Sequence, residues 1–334
     1  MDSPKYSAFT VLETAYKVVD NHHPIHVYTL IPKALPSPRT PRPVLVKFHG
    51  GFLMTGTALY PDWFAGWLVA YALRHGAVVV LPNYRLAPEA TGVEILADLR
   101  DFWAWLGAEF QGYLAGEPAA GGEEGVQVDL GRVLTVGESA GGYLSVQSVL
   151  LESGPPPGIR AAIAIYPVLD LKARFYTEEY APKVVLGAPT IPGEVMAEHL
   201  RAIEEDAKRG QRRVVSSATP PERLPLCLSM VQQGLMTKLL GEERVLFPLE
   251  TVEDVSPHQV PPVLVIHGRD DTAVPVEGSE KWVGKAREKL GDAKVALVVQ
   301  PGEHGFDADE NVTLDTPWLK DALVPITKAW LGTE

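Results

Sequence analysis

Gly137-Glu138-Ser139-Ala140-Gly141 sets a serine between two glycines, directly after an apolar run and directly before a helical pattern. A serine hydroxyl is a weak nucleophile until a neighbouring base takes its proton. On a sharp strand-to-helix turn it stands above the sheet, where a substrate can reach it. Chain passing close by on either side requires that Gly137 and Gly141 lack a Cβ. The helix that starts at Ala140 also turns its positive end toward the serine. The chemistry this pattern offers is acyl transfer through Ser139.

A base and its partner follow late in the chain. His304 lies in Pro301-Gly302-Glu303-His304-Gly305-Phe306, just after the last apolar run, and Asp270 and Asp271 follow the run before it. Imidazole takes a proton near neutral pH, and a carboxylate holds its tautomer and stabilises the imidazolium. The order serine, aspartate, histidine along the chain fits a nucleophile placed on a strand-to-helix turn. A tetrahedral intermediate also needs fixed N–H donors for its negative oxygen. Ala140, directly after the serine, offers one, and Gly50 and Gly51, after His49, offer the others. His49 sits too close to these glycines to be the base and is expected to brace them. His22, His23 and His26 have no carboxylate spaced to complete a metal site, so a solvated turn is expected there. No metal and no cofactor is implied.

These groups need a scaffold that brings strand ends together. Val44–Phe48, Ala77–Pro82, Arg132–Val136, Ala161–Ile165, Pro262–Ile266 and Val295–Val299 are short apolar runs. Most are separated by helical patterns, at about 61–74, 93–113, 140–152, 277–290 and 318–330. Such alternation predicts a mostly parallel sheet covered by helices on both faces. Catalytic loops then gather at the carboxyl ends of the strands. Ile25–Ile31 alternates and is expected to be an antiparallel edge strand. Residues 116–125, rich in Gly, Ala and Glu, are expected to form a surface loop.

The chain of 334 residues is read as one domain, 1–334, because folds of this class often run that long. Its net charge of -12 disfavours nucleic acid and anionic lipid as partners. That charge suits a protein handling neutral small molecules, though charge alone does not choose that class. The polar start and the lack of a long apolar stretch argue against a secretory signal or a stable membrane anchor, so the cytoplasm is the expected location. Asn311-Val312-Thr313 is then a chance glycosylation match. Nothing in the sequence bears on oligomeric state.

With these residues in hand, the chain resembles the hormone-sensitive-lipase-like carboxylesterases, a branch of the α/β hydrolases. The resemblance rests on His49-Gly50-Gly51, Tyr84-Arg85-Leu86-Ala87-Pro88-Glu89, Gly137-Glu138-Ser139-Ala140-Gly141-Gly142 and the Asp271/His304 pair, in that order, and covers about residues 40–310. It implies the α/β-hydrolase fold, ester hydrolysis through an acyl-enzyme, no cofactor, and a helical cap over an acyl pocket. The family pattern His-Gly-x-x-Asp-x-x-Val-Pro implies that Asp271, not Asp270, partners the histidine. Two positions depart from the pattern. Phe52 stands where a third glycine is usual, and Glu138 where aspartate is common.

Residues 171–260 break the alternation and are expected to form the cap. Met196, Leu200, Ile203 and Ala207 fall on one helical face, and 226–240 is apolar on nearly every side. Methionine suits a pocket that accepts varied apolar groups, so Met230 and Met236, with Phe52, are expected substrate contacts. The expected activity is a carboxylesterase on small or medium esters. A thioesterase or lactonase in a biosynthetic pathway would use the same groups, and a ligand receptor on this fold would dispense with the histidine.

Overall fold

Each apolar run becomes a strand of one eight-stranded sheet in the computed structural model, with order β1-β2-β4-β3-β5-β6-β7-β8. The strands are β1 (Phe9–Val19), β2 (His23–Pro32), β3 (Arg42–Phe48), β4 (Val78–Pro82), β5 (Val128–Glu138), β6 (Ile159–Ile165), β7 (Val263–Gly268) and β8 (Val295–Gln300). The structure describes residues 3–20, 22–34, 40–121, 125–151, 156, 158–220 and 222–333. Met1 and Asp2, residues 122–124 of the expected loop, and Glu152 at the expected helix end lie outside them.

The ladder from β4 through β8 is parallel, and β2 joins β4 antiparallel. One expectation needs correcting: β2 is not the edge. β1 pairs antiparallel along its outer side. The sequence hides β1 because its buried residues, Phe9, Leu12, Tyr16 and Val19, are spaced three and four apart rather than two. A bulge between Ala15 and Lys17 breaks the alternation a strand normally shows.

Helices cover both faces: α1 (Gly66–Arg74), α2 (Gly92–Ala108), α3 (Phe110–Gly116), α4 (Ala140–Val149), then α5 (Arg174–Thr177), α6 (Gly193–Lys208), α7 (Leu224–Gln232), α8 (Met236–Leu240) and α9 (Pro248–Thr251), and finally α10 (Val276–Leu290) and α11 (Pro317–Leu331). Alternate residues of β3 feed two cores: Val44, Val46 and Phe48 on one face, Leu45 on the other. α2 begins with a reciprocal cap in which Thr91 and Glu94 satisfy each other's backbone N–H. The continuous helix expected over 226–240 is instead two, because Gly234 turns the chain at φ 66°.

Helices α5 to α9 all fall between β6 and β7, outside the strand-helix repeat. No helix among the described residues is long and apolar enough to cross a membrane.

Candidate active site

The turn after β5 is as tight as the sequence required. Ser139 has φ 56° and ψ -120°, a conformation L-residues rarely adopt. Such strain costs about 1–3 kcal/mol and persists only where the surroundings enforce it. Here the Ser139 N–H donates to Ile165 O at 2.8 Å. A Cβ on Gly137 would lie 2.1 Å from Gly141 O, and one on Gly141 would lie 2.1 Å from Phe48 O. Ser139 is 4% exposed, at the wall of a cavity that also takes in His304.

His304 Nδ1 is 2.7 Å from Asp271 Oδ2. The other carboxylate oxygen accepts the N–H groups of Ala273 and Val274 at 2.9 and 2.7 Å. Asp270 points elsewhere and accepts the Gly302 N–H. Geometry thus pairs His304 with the aspartate that the family pattern implied. Burial pushes the Asp271 carboxyl up, but hydrogen bonds from His267 and His304 outweigh it and hold it well below the usual carboxylate range. His267 is itself fixed between Ser279 Oγ and Val274 O, each at 2.8 Å.

Sequence reasoning missed the groups that hold His304 from behind. The Tyr166 ring lies 4.4 Å from the imidazole, centre to centre. Its hydroxyl donates to Asp307 Oδ1 at 2.9 Å, and Trp67 Nε1 donates to Asp307 Oδ2 at the same distance. Asp307 is 1% exposed, and burial pushes its carboxyl up despite those donors. The available signal was an acid three residues after the histidine, and a tyrosine at the end of β6.

At the end of β3, His49 stacks on Tyr84 with ring centres 4.4 Å apart and planes 13° apart. Burial holds its imidazole down at about 3, so it is neutral. Its Nδ1 is 2.9 Å from Gly50 O, and Tyr84 OH donates to His49 O at 2.7 Å. His49 is therefore a brace for the glycines, and Tyr84 of the Tyr-Arg-Leu-Ala-Pro-Glu run braces His49 in turn. Gly51 has φ 102°, and a Cβ there would meet Thr55 O at 2.2 Å.

One expected donor is engaged elsewhere. The Gly50 N–H donates to Glu138 Oε1 at 3.1 Å. That N–H is thus already taken up by the carboxylate one residue before the nucleophile. Phe52 follows with φ 55°, so the position usual for a third glycine keeps a left-handed backbone without the glycine.

The cavity is about 210 Å³. Phe52 lines it, with Trp63, Leu68, Ile165, Leu186 and Leu224. Met230 and Met236 do not. Both are buried, 0% and 1% exposed, in the larger core. The inner faces of α7 and α8 are turned into packing, and Met236 borders a small separate void that Phe52 and Ala140 also line. Among the described residues, those that 171–260 does bring to the cavity are Leu186 and Leu224.

Among the described residues no group of three or more His, Cys, Asp or Glu is placed to hold a metal. His26 Nδ1 meets Glu13 Oε1 at 2.8 Å across the β1–β2 pair, and His23 meets Ser216. A carboxylate does join the histidines after all, but by cross-strand pairing, and it binds only one of them.

A family profile described as "alpha/beta hydrolase fold" matches residues 45–234, and one described as "Prolyl oligopeptidase family" matches 237–316. The chain is 32% identical over 337 residues to a probable carboxylesterase, M8, of Phoma sp., covering 99% of this chain and 100% of that one. It is 33% identical over 215 residues to a probable carboxylesterase, clz11, of Cochliobolus lunatus, covering 62% and 92%. A solved thermophilic esterase from Thermogutta terrifontis, with butyrate bound, superposes with TM-score 0.58 at 21% identity over 97% of this chain and 96% of that one. At that identity the likeness is one of fold.

Proposed function

The chain belongs to the α/β-hydrolase-fold carboxylesterases and is a carboxylic ester hydrolase, and from that premise we propose that it cleaves small or medium esters through an acyl-enzyme on Ser139. The observation that carries this is the 2.7 Å contact of His304 Nδ1 with Asp271 Oδ2, beside a cavity that Ser139 and His304 both line. With Nδ1 engaged, Nε2 is the nitrogen that takes the serine proton as Oγ attacks the ester carbonyl. Asp271, kept ionised by its donors, stabilises the imidazolium.

The oxyanion forms against the N–H groups of Gly51, Phe52 and Ala140, an assignment that replaces Gly50 with Phe52. His304 then returns the proton to the departing alcohol, and water repeats the sequence to release the acid. No step draws on a metal or cofactor. Residues 171–260 act as the cap: Leu186 and Leu224 reach the cavity, and excluding water there strengthens each donor.

A fluorophosphonate probe tests the reading directly. Wild-type protein should label at Ser139 and hydrolyse p-nitrophenyl butyrate, and Ser139→Ala should do neither. Wild-type protein that stays unlabelled while folded would favour a ligand receptor and sink the esterase mechanism.

A further inference from the structure

Two charged residues sit deep beside the nucleophile. Lys47, on β3, is 3% exposed, and Glu138, the last residue of β5, is 6% exposed. Lys47 Nζ donates to Glu138 Oε1 at 2.8 Å, and the same oxygen accepts the Gly50 N–H at 3.1 Å. One oxygen thus joins the end of β3, the residue before Ser139, and the turn leading into Gly51. The ammonium also lies 5.1 Å from the centre of the Phe64 ring.

The turn has little slack. A Cβ built on Gly50 would stand 3.1 Å from Glu138 O and 3.3 Å from Ser139 Cβ. Any shift of the turn therefore changes where the next N–H groups point relative to the serine. A displacement of about 1 Å at such a site can cost on the order of a hundredfold in rate. Burial pushes the Glu138 carboxyl above its usual range, and the Lys47 charge, the Lys47 hydrogen bond and the Gly50 N–H offset this only in part. Tyr6, Tyr84 and Tyr166 also feel this carboxylate.

We propose that Lys47 is a positioning residue of the oxyanion hole, acting through Glu138 to fix the Gly50 turn so that the Gly51 and Phe52 N–H groups meet the oxyanion. The proposal rests on the esterase reading above. It also gives the glutamate before the nucleophile a task, since its carboxylate makes both contacts at once. Lys47 lines the cavity, so the competing role is a direct contact with substrate, and the two roles separate in a double-mutant cycle.

Lys47→Met, Glu138→Ala and the double variant are compared by kcat and KM on p-nitrophenyl butyrate, with melting temperature recorded for each. Glu138→Ala should lower kcat on the order of a hundredfold, and Lys47→Met about tenfold, with KM within about twofold. The double variant should be no slower than Glu138→Ala, because Lys47 acts only through the acid and its unpaired charge is then gone. Losses that multiply, or a Lys47→Met effect confined to KM, would overturn the proposal in favour of a substrate contact. Should Glu138→Ala not fold, Glu138→Gln keeps an oxygen for the Gly50 N–H and should stay within about tenfold of wild type. A hundredfold loss in that variant would equally refute the tether. Wild-type labelling by fluorophosphonate is checked first, and its failure would remove the esterase reading itself.

Discussion

The rim of strand ends and the segment over it are held by different means. At the rim, backbone geometry does the placing: Ser139 is fixed by close chain contacts on both sides, and Asp271 by two backbone N–H groups. The 171–260 segment is held mainly by side chains. Arg223 and His199 grip Glu89 at 2.6 and 2.9 Å, and Lys183 donates to Val231 O at 2.9 Å. Among the described residues, the backbone contacts that join it to the rim are short, such as the Gly56–Ala218 bridge and the Leu86 N–H to Val215 O bond. Backbone placement tolerates little change in position, while side-chain placement permits the pocket wall to vary without disturbing the chemistry.

The contrast is sharpest at the proposed triad. Ser139→Ala should cost on the order of 10⁴ to 10⁶ in kcat with the fold intact. Residual turnover near a tenth of wild type would break the assignment. Asp271→Asn should cost about 10⁴ by favouring the wrong histidine tautomer, whereas Asp270→Asn, whose carboxylate reaches only the Gly302 N–H, should cost far less. Equal losses would mean that the 2.7 Å contact does not decide which acid works.

This division also explains what could be read from the sequence. The strand runs, the Ser139 turn and the His304 loop were legible because each is set by local pattern: apolar continuity, glycines around a sharp turn, a loop after a strand; the choice of Asp271 over Asp270 came from the family resemblance alone. β1 was not, because a bulge disguised its period. Gly50 was placed in the oxyanion hole because sequence shows a backbone N–H but not its competitor, and Glu138 reaches it only across neighbouring strands. Met230 and Met236 failed for a related reason. An apolar helix shows what it can bury, while tertiary packing decides which side faces core and which faces cavity.

The methionines turn that last point into a measurement. Met230→Ala should destabilise the protein by roughly 2–5 kcal/mol, as a core truncation does, and leave the preference along a p-nitrophenyl ester chain-length series unchanged. Leu224→Ala should do the reverse, shifting that preference by about 1–3 kcal/mol between neighbouring chain lengths with a smaller loss of stability. If Met230→Ala moved the chain-length profile more than Leu224→Ala, Met230 would belong to the pocket and not to the core.

The smallest effect concerns how the 171–260 segment, the proposed cap, is fastened. Glu89, from the Tyr-Arg-Leu-Ala-Pro-Glu run, has its side chain 1% exposed between Arg223 and His199. Burial pushes its carboxyl up, yet hydrogen bonds from His199 and Arg223 and the Arg223 charge bring it from 4.5 down to about 2. A carboxyl lowered in the folded state stabilises fully above its unfolded value and loses that contribution as pH falls toward the folded one. The window is therefore between about 4.5 and 2. Glu89→Gln keeps the size and an acceptor oxygen but removes the charge. Its melting temperature should lie below that of wild type at neutral pH, and the gap should narrow as pH falls through the window. Asp271 weakens over acidic pH in both proteins, so it cancels from the difference between them. A gap that stayed constant from pH 5 to pH 3 would show that the Glu89 ion pairs do not fasten the segment, and that its hold on the rim lies in the Gly56–Ala218 bridge and the apolar contacts instead.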